Sequence, residues 1–188
     1  MYKILTIKDE VRVPPTKFDL DVKEAIKQSL QEQIEGKTDA NIGVFLAVTE
    51  VLDVQEGKII PEDGAIFYPA EFKVLVFKPE LNEIITGEIV DITEFGAFTR
   101  IGPLDALIHV SQIMDDKMNY DSKNAIFTGK KNSVKLKEGD IVRARVVGVS
   151  LGKNQTKISL TMRQPCLGAT EWIEKEKKHQ KKTDKEKK

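Results

Sequence analysis

One cysteine, two histidines and one tryptophan are all that 188 residues contain of those three types. Cys166 alone cannot close an intramolecular disulfide, and with only His109 and His179 beside it no zinc cluster can be assembled from soft ligands. Neither a structural metal nor a cofactor is expected. Long apolar runs are missing too. No stretch approaches the roughly 20 residues that a membrane span requires, and the first residues, MYKILTIKDEV, turn charged at once instead of forming the apolar core of a signal peptide. The expectation is a soluble, cytoplasmic protein with no membrane partner. A net charge is also lacking, since 30 basic residues balance 30 acidic ones. The balance hides an asymmetry. Residues 1–81 hold 10 basic and 15 acidic residues (net −5), 82–163 hold 12 and 10 (net +2), and 164–188 hold 8 and 5 (net +3). The first segment is a poor surface for a polyanion and the second a tolerable one.

The length fits two compact units of roughly 80 to 100 residues each. Tyr2 to Val13 alternates and is rich in branched residues, which predicts a strand; Pro14-Pro15 stops it, because proline cannot donate a ladder hydrogen bond. From Asp19 onward Val22, Ile26, Leu30 and Ile34 recur every four residues, with acidic residues at the start and Gly36 as a stop. That spacing predicts one amphipathic helix of about four to five turns. Ile42–Val54 and Ala65–Phe77 are further strand candidates, so the first half reads β-α-β-β. The second half holds five short strand candidates, Ile84–Ile92, Phe95–Ile101, Ala106–Val110, Asp140–Ser150 and Lys157–Met162, which suggest a small closed barrel. The whole is an α+β protein. The stretch 114–137 is polar, longer than a usual barrel connection, and has no structure assignable from its pattern. Beyond Trp172 the sequence carries charge without an apolar face, which predicts a disordered end.

Signs of catalysis are sparse. Gly36-Lys37-Thr38 lacks the upstream glycine of a phosphate-binding loop, where Gln31 stands, and follows its helix instead of preceding it. Asn154-Gln155-Thr156 has the form of a glycosylation sequon but reads as a turn. Asp115-Asp116 and Asp19/Asp21 are carboxylate pairs with no third ligand suggested nearby.

The stretch ITEFGAFTRIGPLDALIHVSQI (92–113) is more specific. Residues three apart on a regular strand face opposite sides, so Phe95 and Phe98 share a surface only if the backbone departs from the two-residue period. Gly96 permits a bulge there. His109 would lie across from them if the next two strands pair through Gly102-Pro103. Three flat rings on one barrel face would form a stacking platform for unpaired bases. The plainer alternative is that both phenylalanines are core and His109 ends a strand.

The runs GEIVDITEFGAF (87–98), DALIHVSQI (105–113), GDIVRARVVGV (139–149) and KISLTMR (157–163) resemble an S1 RNA-binding domain, a five-stranded barrel of OB type. The resemblance implies an RNA surface at Phe95, Phe98, His109 and Lys157. Ser150 stands where that family has an acidic residue, and Lys153 in the adjoining turn could replace part of the lost contact. Arg143 and Arg145, two apart on the fourth strand, share one face and are further RNA candidates beside the plainer reading of exposed barrel arginines.

Together with VRVPP (11–15) and EDGAIFYPAEFKVLVFKP (62–79), the chain over residues 1–165 is similar to the larger stalk subunits of archaeal RNA polymerase, the E-prime family, counterparts of the seventh subunit of RNA polymerase II. That resemblance implies a truncated RNP-like docking domain over 1–80, an S1 barrel over 81–165 with an insertion at 114–137, and a charged tail over 166–188. It implies a smaller partner subunit in a heterodimer, docking on the polymerase core near the clamp, and single-stranded RNA as ligand. Pro14, Pro15, Phe18, Ile60, Pro61, Asp63 and Gly64 would form the docking tip, or are ordinary turn punctuation. The subunit is not expected to be an enzyme by itself. The rival expectation is a free-standing S1 RNA-binding factor of translation or RNA decay.

Overall fold

A computed structural model describes residues 1–122, 124–130, 134–152 and 156–174. They form two compact units, one holding Met1–Lys78 and the other Pro79–Ser150 with the segment from Thr156 onward.

In the first unit β1 (Tyr2–Val13) runs into Pro14, and Pro15 opens a short 3-10 turn (Pro15–Lys17) in which its missing N–H costs nothing. Helix α1 (Val22–Ile34) follows, then β2 (Thr38–Asp39), β3 (Gly43–Val54), β4 (Lys58–Ile59) and β5 (Ile66–Phe77). The antiparallel sheet has the order β1-β5-β3-β2, with β4 also on β5. The β-α-β-β order is as expected from sequence, with two short bridging strands added.

The helix is shorter than its periodicity predicts. Asp21 caps it by accepting from the Lys23 N–H at 3.2 Å, which leaves Asp19 and Leu20 outside its 13 residues. Gly36, at φ +77°, turns the chain away after the C-terminus. Ile26 and Leu30 are buried among Val11, Val13, Val48, Phe72, Val74 and Val76. Val22 shares their period but is 43% exposed, at the rim of a cavity lined also by Val13, Phe18, Ile66 and Tyr68. At the other end Glu35 Oε1 accepts from the Val48 N–H at 2.8 Å and ties the helix to β3. Three register shifts along β3 against β5 coil that strand.

The second unit begins with β6 (Ile84–Thr93), β7 (Gly96–Ile101) and β8 (Leu104–His109), and a 3-10 turn (Val110–Gln112) follows. Next come β9 (Met118–Asp121), β10 (Ile126–Gly129), β11 (Lys135–Leu136), β12 (Ile141–Leu151), β13 (Thr156–Thr161) and β14 (Gly168–Ala169). The order β13-β8-β7-β6-β12 closes through β13–β12 pairing into the expected five-stranded barrel. The β13–β8 seam is parallel, whereas β8–β7, β7–β6 and β6–β12 pair antiparallel. Ile85, Ile89, Ala97, Ile108, Val142, Val146 and Leu160 point inward and are buried.

The stretch without assignable structure, 114–137, contributes a three-stranded sheet of order β11-β10-β9. Strands of two to four residues give no readable period, yet Phe127 and Leu136 are fully buried and the Tyr120 ring lies 5.5 Å from that of Phe127. The segment read as a charged tail also starts folded: β14 adds to β12, and Trp172 and Ile173 are buried in the helical residues 170–174. The Trp172 indole N–H donates to Lys135 O at 3.3 Å. Its lysine-rich continuation from residue 175, with His179, lies outside the described residues.

Candidate nucleic-acid interface

Strands β6 and β7 meet in a two-residue turn, Glu94 and Phe95, between the paired Thr93 and Gly96. This turn is what unites the two phenylalanines. Phe95 stands on the turn itself, 48% exposed, and Phe98 is half-buried on the outer face of β7. Their rings meet edge to face, centroids 6.0 Å apart at 89°.

The expected bulge at Gly96 is absent. Pairing is continuous from Thr93↔Gly96 to Asp91↔Phe98, and the register shift falls on β6 between Ile89 and Asp91. Gly96 serves another need: a Cβ there would sit 2.3 Å from Ile108 O, so only glycine admits the close approach of β8.

That approach brings His109 to the rings' end of the barrel, since Gly96 pairs with His109 across β7 and β8. The imidazole is exposed and caps the following 3-10 turn. Its Nδ1 accepts from the Ser111 N–H at 3.2 Å and lies 2.8 Å from Ser111 Oγ. With Nδ1 as acceptor, neutral His109 carries its proton on Nε2, which remains a donor.

The register extends the surface past the residues singled out from sequence. Asp91 pairs with Phe98, Phe98 with Leu107, and Leu107 with Ser159, a row crossing four strands. Lys157, exposed, lies two residues from Ser159 and so on the same face. Leu107, Ser159 and Asp91 were missed because their neighbourhood depends on pairing; counting back by two from His109 and on by two from Lys157 finds the first two. Ser150 is exposed at the end of β12, and Lys153 lies outside the described residues.

Arg143 and Arg145 are not brought to the rings. They pair with Thr86 and Ile84, whereas the rings adjoin the Asp91–Thr93 end of β6, roughly 16 Å along the strand from Arg143 and roughly 23 Å from Arg145 at ~3.3 Å per residue. Arg100, nearer, is engaged with Asp105 across β7 and β8 at 3.0 Å, and this hydrogen bond holds its guanidinium pKa above the ordinary value.

At one end of the first unit, residues of the other group of candidates come together. A Cβ on Gly64 would lie 3.7 Å from Pro15 Cγ, so the loop carrying Pro61, Asp63 and Gly64 rests beside the Pro14-Pro15 corner. Arg12 clamps Asp63 through two hydrogen bonds. Phe18 and Ile60 project from this end, each 46% exposed. Among the described residues no group of three or more His, Cys, Asp or Glu side chains is gathered to hold a metal, and no helix is long and apolar enough to cross a membrane.

Known proteins carry the same two units in the same order. Residues 8–64 match the SHS2 domain found in the N terminus of Rpb7p/Rpc25p/MJ0397, and residues 78–163 match the S1 RNA binding domain. DNA-directed RNA polymerase subunit Rpo7 of Saccharolobus shibatae is 37% identical over 180 residues, 95% of this chain and 100% of that protein. The Rpo7 subunit of Saccharolobus solfataricus gives the same identity and coverage. DNA-directed RNA polymerase II subunit rpb7 of Dictyostelium discoideum is 23% identical over 170 residues, 89% of this chain and 98% of that protein.

Proposed function

The chain belongs to the Rpo7 family of DNA-directed RNA polymerase subunits, and from that premise we propose that it forms the polymerase stalk with a smaller partner subunit. Its barrel holds single-stranded nascent RNA, and its first unit docks on the polymerase core near the clamp in the cytoplasm. It supplies no nucleotidyl-transfer chemistry of its own. It acts on initiation, elongation and termination by where it holds the transcript.

The observation that carries the RNA reading is the edge-to-face pair of exposed Phe95 and half-buried Phe98 beside His109. Bases stack on such rings without regard to sequence, at about 1–3 kcal/mol each. The Nε2–H of His109 offers a donor to a base edge or phosphate, and Lys157 attracts the backbone. Docking is supported by the gathering of Pro14, Pro15, Phe18, Ile60, Pro61, Asp63 and Gly64 at one end of the first unit, where two clamped segments present apolar side chains to solvent. A free-standing S1 factor is disfavoured because that reading accounts for residues 78–163 and leaves the matched residues 8–64 without a task.

The test is a set of alanine substitutions at Phe95, Phe98 and His109 in the stalk heterodimer. Single-stranded RNA affinity should fall by roughly 5- to 150-fold per lost stack, while copurification with polymerase is retained. Unchanged affinity in the triple variant removes the platform.

A further inference from the structure

Beyond the 3-10 turn that His109 caps lies a cavity of about 400 Å³, lined by Val110, Ser111, Met114, Asp115, Met118 and Arg163 among others. It adjoins the rings' end of the barrel. The Val110 N–H donates to Phe95 O at 2.9 Å, and Ser111 Oγ lies 2.8 Å from His109 Nδ1, so two of its walls are bonded to two residues of the platform. Strand β13 fixes another wall. Gln112 O accepts from the Met162 N–H at 2.8 Å, and Gln112 Oε1 accepts from the Thr161 hydroxyl at 2.8 Å, which sets Arg163 beside the turn. Arg163 in turn donates to Asp115.

The lining divides by chemistry. Val110, Met114 and Met118 are half-buried apolar surfaces, and polarisable thioethers suit the flat face of an aromatic ring. Ser111, Asp115 and Arg163 are polar and exposed. The Arg163–Asp115 pair is open to water, its side chains 44% and 80% exposed, and among the described residues it engages only Oδ1 of the carboxylate. An exposed pair of this kind contributes little to stability, so a ligand edge that serves both partners enters at small cost. A phosphate is a poor occupant, because Asp115 and Asp116 both line the cavity and repel it. A neutral base is a good one. Guanine alone among the four RNA bases presents two adjacent N–H donors, N1–H and N2–H, beside an acceptor, O6; one carboxylate takes both donors while a neighbouring guanidinium serves O6.

We propose that this cavity is a base-selective subsite of the RNA surface. One guanine passes His109, lies against Val110, Met114 and Met118, and donates N1–H and N2–H to Asp115 while Arg163 donates to its O6. The proposal rests on the RNA reading above and adds to it a preference that stacking on Phe95 and Phe98 does not supply. Continuity with Phe95 and His109 favours RNA over a protein segment as occupant. Asp115, first of a carboxylate pair with no metal partner suggested by the sequence, thereby gains a use in reading a base.

The full chain is titrated with oligouridylates of about 12 nucleotides, a length within the footprint of an OB-type barrel. They carry either no substitution or a single guanosine, inosine, adenosine or cytidine, placed in turn at each position. At one register guanosine should bind at least roughly fivefold tighter than the all-uridine strand, as one well-made pair of contacts to a base edge gives. Inosine, which lacks the N2 amino group, should lose most of that gain. Asp115→Asn and Arg163→Ala, with folding confirmed by thermal melting, should each bring the guanosine-to-uridine ratio to within about twofold of one. A loss of structure alone would weaken all strands together and leave the ratio in place. A wild-type ratio within about twofold of one at every register overturns the proposal, as does an equal gain from adenosine or cytidine, or a full gain retained in Asp115→Asn. No affinity for any strand overturns the RNA reading itself, a result distinct from binding without choice of base.

Discussion

Arg12 holds Asp63 with two parallel hydrogen bonds, from Nε at 2.8 Å and Nη2 at 2.7 Å, and so pins the loop before β5 to the end of β1. Asp63 Oδ1 also accepts from the Ala65 N–H at 3.2 Å. The Pro14-Pro15 end of the first unit is therefore braced by this ion pair.

That brace is sensitive to acid. The hydrogen bond from Arg12 holds the Asp63 carboxyl below the usual carboxylate range, with the bond from Ala65 and the charge of Arg12 acting the same way and desolvation opposing them. A group whose folded pKa is depressed contributes stability above its unfolded value, about 3.9, and loses it as pH falls through the lower folded value. Amide exchange at Ala65, corrected for intrinsic rate, should stay protected at pH 5 and open progressively as pH falls below the ordinary carboxylate range. Asp63→Asn should show the open behaviour at both. Equal protection of Ala65 in wild type and variant at pH 5 would mean that the loop is held by something else.

The close approach at Gly96 sets a second expectation. A Cβ there meets Ile108 O, a backbone atom that cannot swing aside, whereas a Cβ on Gly148 meets the Ser159 Cβ at an ordinary 3.5 Å. Gly96→Ala should destabilise the barrel by about 1–3 kcal/mol through forced backbone shifts. Gly148→Ala should be neutral or add a few tenths of a kcal/mol by restricting the unfolded chain. Urea unfolding of the two variants side by side decides it, and equal midpoints would place the need for Gly96 elsewhere.

Much of this organisation is legible in the residues. The three long strands and the helix of the first unit, and the five strands of the barrel, follow from alternation and from the prolines and glycines that interrupt it. What escaped was decided by pairing. Phe95 and Phe98 do converge, but through a hairpin turn that places Phe95 off the strand, and no one-dimensional period distinguishes that from a bulge at Gly96. The row Phe98, Leu107, Ser159 joins three strands whose registers the sequence does not state. Val22 fits the helical period and is nonetheless 43% exposed, because periodicity gives a face but not how closely each residue on it is covered. The small sheet within 114–137 is held by Phe127 and Leu136, two apolar residues scattered among polar ones.

Salt dependence separates the cations. Each phosphate neutralised on a single strand contributes about 0.7 to the slope of log affinity against log salt. Lys157 lies on the face that carries Phe98 and Ser159, so Lys157→Ala should lower the slope by about that amount. Arg143, opposite Thr86 and away from the rings, should leave it unchanged when replaced by alanine. Titrations of a single-stranded oligonucleotide at several salt concentrations read both slopes. A fall in the Arg143→Ala slope would return that arginine to the RNA surface.

The helix supplies a test of packing within one element. Ile26 is completely buried between α1 and the sheet, and Val22, one turn earlier, is 43% exposed. Truncating Ile26 to alanine removes buried methylene groups and leaves a cavity that the flanking Val11, Val48 and Phe72 cannot fill, at a cost of about 2–5 kcal/mol. Val22→Ala removes little buried surface and replaces a β-branched residue by the best helix former, so it should be neutral or slightly stabilising. The two units need not unfold together, so denaturant curves should be followed by amide signals of the first unit rather than by a global probe. There Ile26→Ala should shift the midpoint down with an unchanged slope, because the surface exposed on unfolding is nearly the same. If Val22→Ala instead cost as much as Ile26→Ala, the first turn of the helix would have to be covered in solution, and the exposure of Val22 would be the part of the fold to revise.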